Sequence, residues 1–240
     1  MARRAALVLG GSGGIGLAIA ATLAELGYDL TIQGRREERV EAAVTKLGRN
    51  ASGAEATGVV ADLSEESEVA RVVAEHAAVH GRLDVLVDSA GLGIGQGIGE
   101  VEARHLDRQT GVNFRAAVLA LRESLPLLEA AGAEHGKALV CLVSSWAATH
   151  PPAWLSIYGA TKAALDAFAR SAQLELEGKG IQVTSVSPAT VETEMTRYAT
   201  GDIPADEMLR PEDVAEVVRM LLRLSPAGRV PEVQIGRAER

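Results

Sequence analysis

Short apolar runs alternate with longer stretches of helical periodicity along nearly the whole chain, and this limits the folds open to it. Runs at 5–10, 29–34, 56–63, 83–91, 137–145, 181–188 and 232–236 read as strands. Between them, 16–27, 36–48, 64–81, much of 101–131, the stretch carrying Tyr158 and Lys162, and 210–224 read as helices, with Ser64 as the N-cap of the third. Strands rich in Val, Ile and Leu, separated by helices, predict an α/β fold. Its form is a doubly wound, mainly parallel sheet of about seven strands with helices on both faces. No Pro/Ser-rich linker interrupts the pattern, so residues 1–240 are expected to form a single domain. Ligands in such sheets bind beyond the carboxyl ends of the strands, where the strand order reverses. Every motif described below follows a predicted strand.

Composition narrows the partners. The net charge is −8 with no basic block, which argues against nucleic acid or an anionic membrane. No stretch approaches the roughly 20 apolar residues of a membrane span. The paired arginines near the N-terminus precede only the short apolar run from Ala5 to Leu9, too short for an export signal. A single cysteine, Cys141, rules out an internal disulfide and a cysteine metal cluster, and its apolar surroundings suit a small buried hydrophobe. His135 and His150 have no second ligand at metal spacing, so no metal site is expected. A cytoplasmic protein is expected.

Three motifs carry chemistry. "GGSGGIG" (10–16) lies between the first strand and first helix, where glycines permit a tight turn and the helix N-terminus favours a pyrophosphate. The second strand ends "TIQGRRE". Gly34 stands where a carboxylate would bind the ribose hydroxyls of NAD(H), and Arg35 and Arg36 follow. A guanidinium there suits the 2′-phosphate of NADP(H), with Arg35 the expected contact. Finally, Tyr158 precedes Lys162 by one helical turn, which places them on one helix face. An ammonium beside a phenol favours its ionised form. Ser144 and Ser145 close the fifth strand and are expected to project into the ligand crevice.

In order and spacing, these residues resemble the short-chain dehydrogenase/reductase family over nearly the whole chain. Its glycine motif T-G-x-x-x-G-x-G corresponds to Leu9 and Gly10 through Gly14 and Gly16. Its Y-x-x-x-K pair is Tyr158 and Lys162, its serine is Ser145, and its helix asparagine is Asn113. Asp62, followed by Leu63, matches the aspartate that holds the adenine, and "SPATVET" matches the segment that contacts the nicotinamide amide. The resemblance implies a Rossmann-type fold and hydride transfer between NADP(H) and a carbonyl or alcohol. It implies Asn113, Ser145, Tyr158 and Lys162 as the catalytic set. Tyr158 is the acid/base and Ser145 binds the substrate oxygen. Lys162 also holds the nicotinamide ribose, and Asn113 holds a water that links Lys162 to solvent. The implied cofactor contacts are Gly10, Ser12, Gly13, Gly14, Ile15, Gly16, Arg35, Asp62, Leu63, Ala90, Gly91, Tyr158, Lys162, Pro188, Val191 and Thr193. A homodimer or homotetramer is implied in the same way. Leu165, Phe168, Ala172 and Leu176 form a helix stripe that burial within the monomer would also explain.

The chain departs from the family pattern at three points. Leu9 replaces the leading threonine, Asp88 and Ser89 replace both asparagines of N-N-A-G, and Ala189 replaces the glycine after Pro188. The first two departures predict an apolar junction between the first and fourth strands, with looser cofactor binding. The glycine-dense segment 90–100 is expected to be a mobile loop, and 194–210 to be a short substrate lid. Two other functions remain open: a nucleotide-binding protein of weak catalytic power on the same fold, and an epimerase or dehydratase acting on nucleotide-linked sugars. Retention of Tyr158, Lys162 and Ser145 speaks against the first, and 240 residues leave little room for the second's substrate domain.

Overall fold

The computed structural model describes residues 3–49, 51–197 and 203–237. Seven parallel strands form one sheet: β1 (Ala5–Leu9), β2 (Asp29–Gly34), β3 (Ala56–Val60), β4 (Val85–Asp88), β5 (Ala138–Val143), β6 (Ile181–Pro188) and β7 (Glu232–Ile235). Their order is β3-β2-β1-β4-β5-β6-β7, so the chain reverses its winding between β1 and β4. The helices are α1 (Gly14–Glu25), α2 (Glu37–Leu47), α3 (Glu66–His80), α4 (Ala103–Thr110), α5 (Ala116–His135), α6 (Ser156–Leu176), α7 (Glu194–Arg197) and α8 (Pro211–Arg223).

Residue alternation along the strands feeds two cores. Leu7, Leu9, Leu86 and Leu142 face α3, α5 and α6, whereas Ala6, Val8, Val85 and Val87 face α1, α2 and α8. Both faces are covered, which is why the central strands read as nearly continuous apolar runs. Each fully buried leucine contributes about 1.5–3 kcal/mol of transfer free energy. Cys141 lies in the second core, and burial pushes its thiol up to about 12. Leu165, Ala172 and Leu176 are buried in the first core with Phe168 against them, so the α6 stripe is used inside the monomer. None of the helices among the described residues is long and apolar enough to cross a membrane.

Two helices differ from expectation. Ser64 does not cap α3. Its amide and hydroxyl both donate to Asp62 Oδ1 in a short turn, and the helix starts at Glu66. The long helix expected at 101–131 runs from Ala103 to His135 and is broken by a π-helical turn, Gly111–Arg115, between α4 and α5. Such turns interrupt the regular ladder and re-aim the side chains on them, here Asn113.

His76 on α3 is fully enclosed, bonded to Thr31 Oγ1 and the Arg82 carbonyl, and lies beside the His80 ring. Burial, with His80 adding to it, lowers its pKa to about 4. Because the folded value lies below the unfolded one, His76 contributes stability at neutral pH that is lost as pH falls from about 6.5 through about 4. By proton linkage the contribution is on the order of 3 kcal/mol. Histidine NMR should show the His76 ring still neutral at pH 5; a midpoint near 6.5 would contradict this environment.

Candidate functional site

The reversal of strand order between β1 and β4 opens a crevice at the carboxyl ends of the strands. A cavity of about 990 Å³ occupies it. Its lining includes the turn Gly10, Ser12, Gly13, Gly14 and Ile15, and the arginines Arg35, Arg36 and Arg39. Leu63, Ala90, Gly91, Pro188, Val191, Thr193, Ser145, Tyr158 and Lys162 also line it.

Close backbone contacts leave no room for side chains at Gly10 and Gly16 of the glycine turn. Gly10 has φ +72°, and a Cβ there would lie 2.7 Å from the Ala90 amide nitrogen. The turn is tied down from β2. The Gly10 amide donates to Gln33 Oε1 at 3.0 Å, and Gln33 Nε2 donates to the Ala61 carbonyl at 2.7 Å. The Ser89 amide donates to the Leu9 carbonyl, and these main-chain and Gln33 bonds join the turn to its neighbouring strands.

Ser145 Oγ accepts from the Ala147 amide at 3.1 Å. A hydroxyl that accepts in this way keeps its own proton to donate elsewhere. Lys162 is buried, and its Nζ donates to the Val143 carbonyl at 2.7 Å. An ammonium has three donors, so two remain. Lys162 Nζ lies 6.0 Å from the centre of the Tyr158 ring. Opposite, a Cβ on Gly93 would lie 3.5 Å from Tyr158 Cδ2. Trp146 stacks on His150 at 4.7 Å and 13°, and with Trp154 and Leu155 gives the cavity an aromatic and apolar wall beside Ser145 and Tyr158.

Three expected site residues stand outside the cavity lining. Gly16 is buried behind the glycine turn. Asn113 is fully enclosed: its Oδ1 accepts from the Leu92 amide, and its Nδ2 donates to the Leu92 carbonyl and Thr161 Oγ1. Its side chain is therefore used in holding the loop after β4 against α6. Asp62 is turned into its own Ser64 turn, with Arg108 at 3.7 Å. Partial burial raises its carboxyl, but the Ser64 bonds with Arg108 and Arg35 outweigh this and hold it below its usual value. Ser144 lines the cavity as expected, but it is largely buried and its hydroxyl donates to the Lys162 carbonyl.

The loop expected to be mobile is pinned at several points. Besides Asn113, Gln109 Oε1 accepts from the Ile94 amide and the Trp154 carbonyl accepts from the Gln96 amide. The Trp154 ring lies so close over Gly95 that a Cβ there would overlap it. Of the expected lid at 194–210, residues 198–202 lie outside the described residues. At its start, Glu194 pairs with both Arg36 and Arg39 across the cavity mouth. Sequence reading missed Arg39, Glu194 and Gln33; the pairings span 155, 158 and 23 positions, and no local pattern signals them.

Residues 4–203 match the family model described as short chain dehydrogenase. The chain belongs to the short-chain dehydrogenase/reductase family. An oxidoreductase named asL5 from Sarocladium schorii is 32% identical over 227 residues, covering 91% of this chain and 88% of that protein. An alcohol dehydrogenase from the archaeon Thermococcus sibiricus, solved with 5-hydroxy-NADP, superposes with a TM-score of 0.87. It is 28% identical, covering 98% of this chain and 96% of that one. The 3-ketoacyl-(acyl-carrier-protein) reductase of Brucella melitensis, solved with NADH, gives 0.88 at 27% identity, covering 98% and 97%.

The departures from the family pattern can be placed in the fold. Leu9 is fully buried in the core, as an apolar junction requires. Its partner across the register, Asp88, contradicts that picture, because a buried carboxyl sits at the same junction. Ala189 fits its position, since no non-glycine residue among the described residues has positive φ.

Proposed function

We propose that this protein is an NADP(H)-dependent oxidoreductase of small carbonyl and alcohol compounds. The observation that carries this reading is the continuity of one cavity from an arginine cluster and a glycine turn to Ser145, Tyr158 and Lys162. The cavity suits a dinucleotide. Gly10 lets the turn pack directly on the Ser89–Ala90 backbone, Gly13 leaves open space within 4 Å, and the turn leads directly into the N-terminus of α1. When bound, the nicotinamide supplies or accepts the hydride.

Gly10 through Ile15 would hold the pyrophosphate, and Thr193, whose Cγ2 lies 3.2 Å from where a Gly14 Cβ would be, covers it from the β6 side. Ala90, Gly91, Pro188 and Val191, which line the same cavity, would contact the bound cofactor. In reduction, Tyr158 Oη gives its proton to the substrate oxygen as the carbonyl carbon gains the hydride; in oxidation it takes that proton back. Ser145, oriented by the Ala147 amide, donates a hydrogen bond to the same oxygen. Lys162 stabilises the charge left on Tyr158 and offers its remaining donors to the ribose hydroxyls. Asn113 is a positioning residue here, fixing the loop that faces the Tyr158 ring. Trp146, Trp154 and Leu155 would give the substrate an apolar wall beside the reacting carbon.

The 2′-phosphate falls to Arg35, which forms no ion pair among the described residues, whereas Arg36 and Arg39 already share Glu194. A panel of carbonyls and alcohols, followed by nicotinamide absorbance with NADPH and NADH, tests the reaction and the cofactor together. Arg35→Ala should raise the NADPH KM by about tenfold and leave the NADH KM within about twofold, as expected for loss of a charge-assisted phosphate contact. Preference for NADH in the unaltered protein would overturn the assignment.

A further inference from the structure

Asp88 ends β4, between Leu9 of β1 and Leu142 of β5, on the sheet face covered by α5 and α6. It is 2% exposed. Oδ1 accepts from the Ala90 amide at 3.0 Å, while Oδ2 is buried with no hydrogen-bond partner. An asparagine, which the family pattern has here, would satisfy the same amide without a charge. A buried carboxylate is costly unless an opposite charge compensates it. Lys162, reaching down from α6 to the Val143 carbonyl, forms no direct ion pair with Asp88 among the described residues, but its charge favours the carboxylate. The other groups around it do not supply one. Leu9 and Leu142 are apolar, Asn113 on the π turn is neutral, and the Cys141 thiol on β5 stays protonated. Two further titratable groups lie on α6: Tyr158, one turn before Lys162, and the buried Asp166, one turn after it, whose carboxyl is pushed up by burial and bonds toward Ser144 and Ser185.

We propose that Asp88 is a positioning residue for the reaction: the buried counter-ion of Lys162, which limits how much of the ammonium's field reaches the Tyr158 oxygen. This rests on the roles given above to Tyr158 and Lys162. Asp88 holds the Ala90–Gly91 turn with one oxygen and acts on Lys162 through its charge. A Cβ on Gly91 would lie 3.5 Å from Lys162 Nζ, so that turn and the ammonium are close neighbours. Burial, opposed by Lys162 and the Ala90 amide, pushes the Asp88 carboxyl up to about 6. The charge is therefore present at neutral and alkaline pH and absent in acid.

The test is the pH dependence of kcat/KM for oxidation of an accepted alcohol with NADP⁺, in the unaltered protein, Asp88→Asn and Asp88→Ser. Asparagine keeps an acceptor for Ala90 and removes the charge; serine also removes the charge and leaves only a shorter hydroxyl acceptor. Loss of the negative charge favours the phenolate, so the rising limb in both variants should move to lower pH by about half a unit or more, and by the same amount. The shift should persist in high salt, because the pair is buried. The unaltered protein should show its own sign, a flattening of the rising limb near pH 6 as Asp88 ionises, which requires no variant to fold. An Asp88→Asn profile superimposed on the unaltered one, a shift confined to Asp88→Ser, or a limb without the flattening overturns the proposal. Turnover retained by Tyr158→Phe would instead remove the role of Tyr158, which separates the two failures.

Discussion

Tyr158→Phe should lose hydride transfer by at least about 10²- to 10⁴-fold in kcat while NADPH still binds within about twofold, the loss typical of removing a positioned acid/base group. The ring sits between the loop at Gly93 and the Lys162 ammonium, and its contacts there are made by carbon atoms. Phenylalanine keeps those contacts and removes only the hydroxyl. Fold and cofactor affinity should therefore survive, and the deficit should appear in kcat rather than in the NADPH KM. Melting temperature and NADPH titration by fluorescence check the first part, and single-turnover absorbance checks the second. Turnover within tenfold of the unaltered enzyme would mean that another group moves the proton.

Gly16→Ala should weaken NADPH binding by about tenfold or more and destabilise the fold by about 1–3 kcal/mol, the usual range for overpacking. The added methyl would overlap the Gly10 carbonyl oxygen and lie 2.9 Å from its carbon. Both are backbone atoms of the cofactor turn. They cannot yield without shifting Gly10, which is itself pressed against Ser89 and Ala90. Gly13→Ala is the matched control for stability, because a Cβ there meets nothing within 4 Å and its backbone is extended. Thermal melts and NADPH titrations of the two variants side by side make the comparison. Equal behaviour would show that close approach at Gly16 does not shape the turn.

Local patterns alone specify the layered α/β fold, all seven strands and the end of the sheet where the cavity opens. They can do so because these rest on local periodicity and on glycine turns that follow strands directly. The Tyr158–Lys162 pair was equally legible, since one helical turn suffices to put both on one face. Boundaries erred where a competing local bond won, as when Asp62 took the Ser64 amide and hydroxyl and delayed the start of α3. Long-range packing is what makes Gln33 tie down the glycine turn, Glu194 engage Arg36 and Arg39, and the Asn113 side chain serve the loop rather than the cavity. It also makes Asp88 a buried charge and not part of an apolar seam. Each of these depends on which distant groups share a low-dielectric space. Burial and partner together set the cost of a charge or an unmet hydrogen bond, and neither is written in the spacing of residues along a chain.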